Sequence, residues 1–297
     1  MGLTTVPLAS LVGYSLIAHN LVYRTILMRT SPPESLRSFV RGKVLKPLNY
    51  QARRERLGPL DCVVVSPHIA DSPDASPKIA GLAVFCHGFG AGGDDLVGLA
   101  GELLQIAATD EPLMLVFPAA PLSLEEQGMP GGRAWWMLSV QRLISAMEDG
   151  RFEQIRAEVP DEIDAARESL TAVIDAALER CGLTSQQLLL GGFSQGAMLA
   201  VDTALRGLAE PPAQLCLYSG ALICEQLWKP LVPRLKDTEI FQSHGRFDQI
   251  LPLQTGLWLR DFLQSAPTPV DFVQFDGPHT ISSAALERTA AMLSRLP

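Results

Sequence analysis

From residue 80 to the C-terminus, short apolar runs alternate with stretches of helical pattern, and that alternation leaves few architectures open. Six runs read as strands: Leu82–Cys86, Leu113–Phe117, Leu188–Gly191, Leu215–Tyr218, Glu239–Ser243 and Val270–Phe275. Helical stretches lie between them, at about 94–108, 160–181, 195–208, 252–265 and 282–295. Asp161-Glu162 after Pro160 suits a helix start, and Cys181-Gly182 suits its end. This is the sequence form of an α/β protein, a mostly parallel central sheet with helices on both faces. Cys62–Val65 is a candidate antiparallel strand ahead of the others. Residues 122–160 contain Gly131-Gly132 and Trp135-Trp136 and resolve into neither strand nor helix. They are expected to form an insertion over one end of the sheet.

The first strand runs into a glycine loop, VFCHGFGAGGDD (84–95), which fits two chemistries. Gly88, Gly90 and Gly93 satisfy the dinucleotide fingerprint G-x-G-x-x-G. That reading requires an acidic residue at the end of the next strand, and the LMLVF strand ends instead in Pro118-Ala119-Ala120-Pro121. Asp94-Asp95 would also set two negative charges where a helix start should attract pyrophosphate. The other reading is His87-Gly88-Phe89-Gly90 as a turn that supplies a backbone N–H to an acyl-transfer site.

An acyl-transfer site needs a nucleophile, and LLLGGFSQGAMLA supplies one. Gly192-Phe193-Ser194-Gln195-Gly196 is G-x-S-x-G between an apolar strand and a run of helix formers, the context of a nucleophile elbow. A serine hydroxyl is a weak nucleophile, so a base must take its proton and an acid must orient that base. In α/β-hydrolases the acid and then the histidine follow the serine in the chain. Two histidines lie beyond Ser194. His279, in FDGPHT, falls in the loop after the last strand; His244 ends a strand and reads as a packed histidine beside a turn. Asp248 follows the same strand as His244, at the sheet edge where Ser194 and His279 also fall. Asp237 precedes that strand, and Asp276 is a sequence neighbour of His279.

Charge is divided unevenly along the 297 residues. Residues 1–57 hold nine Lys/Arg against two Asp/Glu, and the remaining 240 hold 15 against 30, within a formal net charge of −8. An acidic body argues against nucleic acid as a partner. Five scattered cysteines without a C-x-x-C pair read as reduced thiols, with no zinc-ligand spacing. Residues 1–57 form an apolar and then basic N-terminal extension, and 58–297 the main domain. Residues 1–23 carry no charge and the basic residues begin at Arg24, the reverse of a signal peptide. Three readings of this extension stand side by side: membrane contact through residues 3–28, a helix packed on the body, or a true start at Met28. Each leaves the body in the cytoplasm.

Taken together, HGFGAGGDD, FPAAP, RAWW, GGFSQGAMLA, SHGRFDQILP and the late GPH resemble the phospholipase/carboxylesterase family of α/β-hydrolases, which includes the acyl-protein thioesterases. The resemblance covers roughly residues 80–295. It implies an α/β-hydrolase fold, and the residues ahead of that fold are expected to form an N-terminal helical extension. It also implies Ser194 as nucleophile, Asp248 as orienting acid, His279 as base, and the backbone N–H groups of Phe89 and Gln195 as oxyanion donors. The implied substrate is an ester or thioester, carried by an acylated protein or a lipid, and no cofactor or metal is implied. Two departures stand out. Family members follow the aromatic pair with Asp, where this chain has Met137-Leu138, and they lack so long a leader. Trp135 and Trp136 either line an apolar acyl site or anchor the insertion. The competing reading from another class is a hydrolase fold that has fallen catalytically silent and serves in binding.

Overall fold

The computed structural model describes residues 50–67, 78–138, 149–265, 267 and 269–296. The expected N-terminal helical extension, the membrane contact through residues 3–28 and the alternative start at Met28 lie outside the described residues. Eight strands form one sheet in the order β1-β2-β4-β3-β7-β8-β9-β10. Strands β3 (Gly81–Cys86), β4 (Leu113–Pro118), β7 (Leu188–Phe193), β8 (Gln214–Tyr218), β9 (Glu239–Gly245) and β10 (Val270–Phe275) are mutually parallel. Their apolar runs are continuous because both faces are covered. Leu82, Val84, Leu188 and Leu190 point into one core, while Ala83, Phe85 and Leu189 point into the other. Helices α1 (Gly98–Ala107) and α7 (Ser283–Leu293) cover the second face. The first is covered by α3 (Ile163–Cys181), α4 (Gln195–Asp202) and α6 (Leu253–Leu263).

Two antiparallel strands extend the sheet, and one corrects the expected boundary at residue 57. β2 (Leu60–Pro67) pairs with β4, as the apolar run at Cys62–Val65 suggests. β1 (Tyr50–Leu57) pairs with β2 over its whole length, so residues 50–57 belong to the sheet rather than to a basic extension. The sequence QARRER conceals this strand. It lies at an edge with Arg53, Arg54 and Arg56 exposed, and charge on a solvent-facing edge is compatible with pairing on the other side.

The 122–160 insertion contains a short hairpin, β5 (Leu122–Ser123) with β6 (Arg133–Ala134), and a helix α2 (Phe152–Ala157). A further short helix, α5 (Glu225–Trp228), follows β8. The parallel strands run in one direction, so the loops after β3, β7, β9 and β10 all open at the same edge of the sheet.

Candidate active site

At Ser194 the chain turns from β7 into α4 within a single residue. Ser194 adopts φ 56° and ψ −117°, a conformation that side chains other than glycine resist at a cost of about 1–3 kcal/mol. The surroundings hold it there. Its N–H donates to the Tyr218 carbonyl at 2.8 Å, and its carbonyl accepts from the Ala197 amide at 3.0 Å. Close packing explains the flanking glycines. A Cβ on Gly196 would come within 2.1 Å of the Cys86 carbonyl oxygen, and one on Gly192 within 2.4 Å of the Gly196 backbone. The elbow is thereby pressed against the end of β3, from which the glycine loop leaves. That loop runs past the serine: a Cβ on Gly88 would sit 3.3 Å from Ser194 Cβ.

His279 and Asp248 meet, although 31 residues separate them. His279 Nδ1 lies 2.6 Å from Asp248 Oδ2, and the Asp248 side chain is fully buried. An ionised carboxylate only accepts, so Nδ1 carries the proton and Nε2 is left as the basic nitrogen. The His279 ring packs on Phe193, with centroids 4.7 Å apart, which sets it beside the elbow. Burial pushes the Asp248 carboxyl up, but hydrogen bonds from His244 and His279 and from the Leu251 amide outweigh it. The net effect holds Asp248 well below the usual carboxylate range. Its second oxygen accepts from the amides of Ile250 and Leu251 at 2.9 and 2.8 Å. The two other candidate acids lie elsewhere. Asp276 is exposed and pairs with Arg246 at 2.8 Å, and Asp237 is exposed beside Lys236.

His244 is fully buried and contacts the same carboxylate. Its Nε2–H donates to the Leu251 carbonyl at 2.7 Å and lies 3.4 Å from Asp248 Oδ2. It therefore braces the loop that carries the acid, a role its position at the end of a strand did not reveal.

The glycine loop is fixed by groups from three separated motifs. His87 Nδ1–H donates to the Gly88 carbonyl at 2.8 Å, while Nε2 accepts from the Ala120 amide at 3.0 Å. A carbonyl can only accept and an amide can only donate, so these partners fix a neutral tautomer. Burial pushes the imidazole down to about 4, which agrees with that state. The Gly90 amide donates to the Arg133 carbonyl at 2.9 Å, and the Arg133 amide returns a bond to Ala91 at 3.0 Å. The Arg133 guanidinium reaches the carbonyls of Ala120 and Pro121. HGFG, FPAAP and RAWW are thus joined in one bonded unit. Within it the Phe89 amide has no backbone acceptor among the described residues. The Gln195 amide opens α4, where first-turn N–H groups lack helical partners. Asp94 stands directly ahead of the helical turn Asp95–Val97 that follows the loop and forms an exposed pair with Arg54 at 2.8 Å.

Of the two readings of Trp135 and Trp136, the packing accords with the anchor. Both are fully buried, and neither presents surface to an incoming chain. Trp135 Nε1–H donates to the His87 carbonyl at 2.9 Å, and its amide donates to Gln195 Oε1 at 3.0 Å. Gln195 Nε2–H donates to the Trp136 carbonyl at 2.8 Å. The G-x-S-x-G motif drew attention to the Gln195 backbone but not to this buried carboxamide.

Known proteins resemble this chain in sequence and in fold. Acyl-protein thioesterase 1 of Kluyveromyces lactis is 26% identical over 228 residues, covering 74% of this chain and 93% of that protein. Its namesake in Mycosarcoma maydis is 23% identical over 235 residues, covering 76% and 95%. Among solved structures, a carboxylesterase from Mesorhizobium loti superposes with a TM-score of 0.60 at 16% identity, over 82% of this chain and 99% of that one. Esterase PE8 gives 0.58 at 24%, over 74% and 94%. At these identities the structural matches establish the α/β-hydrolase fold alone. The phospholipase/carboxylesterase family model matches residues 72–296, a span that takes in the elbow, the His279–Asp248 contact and the braced glycine loop, and the chain belongs to that family.

Proposed function

We propose that the protein is a serine hydrolase that cleaves carboxylic esters or thioesters through an acyl-enzyme intermediate. Ser194 attacks the acyl carbon, and His279 Nε2 takes its proton and then delivers it to the leaving group. Asp248 holds the imidazole in the required tautomer and stabilises the imidazolium. The Phe89 and Gln195 amides receive the developing oxyanion, each worth about 3 kcal/mol of barrier when well aimed. Water then attacks the acyl-enzyme, with His279 as general base, and releases the acid.

The observation that carries this reading is the buried 2.6 Å contact between His279 Nδ1 and Asp248, made beside a serine held in a strained turn. A silent binding fold would have no need of either. Thioesterase relatives support acylated proteins or lipids as the source of the acyl group. Among the described residues no helix is long and apolar enough to cross a membrane.

The test is Ser194→Ala. It should abolish both fluorophosphonate labelling and hydrolysis of p-nitrophenyl esters while leaving the fold intact, and wild-type esterase activity in this variant would refute the mechanism. A chain-length series of p-nitrophenyl esters and acyl thioesters on the wild-type protein then identifies the acyl group and the leaving group.

A further inference from the structure

The strip Arg133–Trp136 grips both halves of the proposed oxyanion hole. On one side, the residues flanking Phe89 are held from the strip: the His87 carbonyl by the Trp135 indole N–H, and the Gly90 amide by the Arg133 carbonyl. On the other side, the Gln195 carboxamide bonds the Trp135 amide and the Trp136 carbonyl. Trp135 is the residue that bonds to both sides. Its backbone N–H ends on Gln195 and its indole N–H on His87, and all three side chains are buried. The His87 and Trp135 rings also pack together, with centroids 5.5 Å apart.

We infer that Trp135 is a positioning residue that sets the spacing between the Phe89 and Gln195 amides. This rests on the hydrolase reading above. Those two amides come from loops that follow different strands, β3 and β7, and strand pairing alone does not fix the loops beyond the strand ends. An oxyanion hole works only if both donors lie about 2.7–3.1 Å from the oxygen that becomes negative. Trp135 supplies a link across that gap, built of a rigid ring and two hydrogen bonds between buried groups. Such a link acts on the tetrahedral state, in which the oxyanion is present, more than on the bound ester.

The test compares Trp135→Phe with Trp228→Phe in the full chain. Each variant keeps a buried aromatic ring and loses one indole hydrogen bond. The bond lost at Trp228 runs to Asp202 at 2.6 Å, outside the site. Four quantities are measured: kcat and KM for p-nitrophenyl butyrate, affinity for phenylboronic acid, and the thermal midpoint. The boron of that probe takes the Ser194 oxygen and becomes a tetrahedral anion. Trp135→Phe is expected to lower kcat and boronate affinity in parallel, by about tenfold, with KM within about twofold of wild type. Trp228→Phe is expected to lower the midpoint and leave kcat and boronate affinity unchanged. If kcat and boronate affinity of Trp135→Phe both stay within about twofold of wild type, the inference is overturned and the residue is only structural. Should that variant fail to fold, Gln195→Met cuts the same link from the opposite side, with the same expected result and the same overturning one. Full activity in Ser194→Ala would remove the hydrolase reading and this inference with it. A serine-dependent wild type with an unaffected Trp135→Phe would remove this inference alone.

Discussion

Asp202 and Asp248 are the two carboxylates buried among the described residues, and they lie in environments that differ in one decisive respect. Asp202, at the end of α4, accepts from Arg206 at 3.0 Å, Arg167 at 3.2 Å and the Trp228 indole at 2.6 Å. Asp248 accepts from His279 at 2.6 Å and from two backbone amides, with His244 alongside. Both side chains are fully buried and both are satisfied. Arginine does not give up its proton at any pH a protein survives, whereas histidine exchanges one near neutrality. The Asp202 cluster can therefore only hold α3, α4 and α5 together, while the Asp248 cluster can take part in moving a proton. The two clusters differ in the acidity of the partner, and only that of Asp248 suits the proposed orienting role.

Four substitutions would break or sharpen that contrast. Of the two carboxylate changes, Asp248→Asn should have the larger effect on rate. Loss of the correct imidazole tautomer lowers the rate by a factor of about 10⁴ at neutral pH, with covalent labelling retained. A loss smaller than tenfold would mean that another acid orients His279. Asp202→Asn should do the reverse, leaving kcat close to wild type while the half-buried Arg167 and Arg206 keep only the exposed Asp164 as counter-charge, at a cost of about 2 kcal/mol in a urea titration. A large fall in kcat with normal stability would erase the distinction between the two clusters. His244→Ala should have an intermediate effect on rate. It leaves the Leu251 carbonyl without its donor and loosens the Asp248 loop, for a loss of about tenfold, or about 1.4 kcal/mol. His279→Ala should approach the inactivity of Ser194→Ala. Equal losses in the two histidine variants, both folded, would reopen the choice of base.

Much of this was legible in the sequence, and the gaps have physical causes. The six parallel strands were visible because burial on both faces demands unbroken apolar runs, as in Leu113–Phe117. Asp248 and His279 could be paired because loops after parallel strands share one edge of the sheet, whatever their separation along the chain. β1 was hidden because an edge strand can bear arginines on its exposed face, and QARRER has the composition of a solvated segment. His87, Gln195 and Trp135 were visible as members of motifs, but their bonds span 33 to 60 residues of sequence. No periodicity reports a hydrogen bond of that range. The two tryptophans were ambiguous for the same reason. An aromatic pair after glycines suits a binding wall and a buried anchor equally, and only the carboxamide of Gln195 and the carbonyl of His87 decide between them.

The strained turn at Ser194 bears on how such a protein can change over generations. Glycine adopts φ 56° and ψ −117° without resistance, so a chain with glycine at 194 would fold with less strain and do no chemistry. Loss of activity is thus the direction in which folding alone would drift at this position. The serine at 194 stands against the preference of its own backbone, which is what the proposed role of its hydroxyl would require.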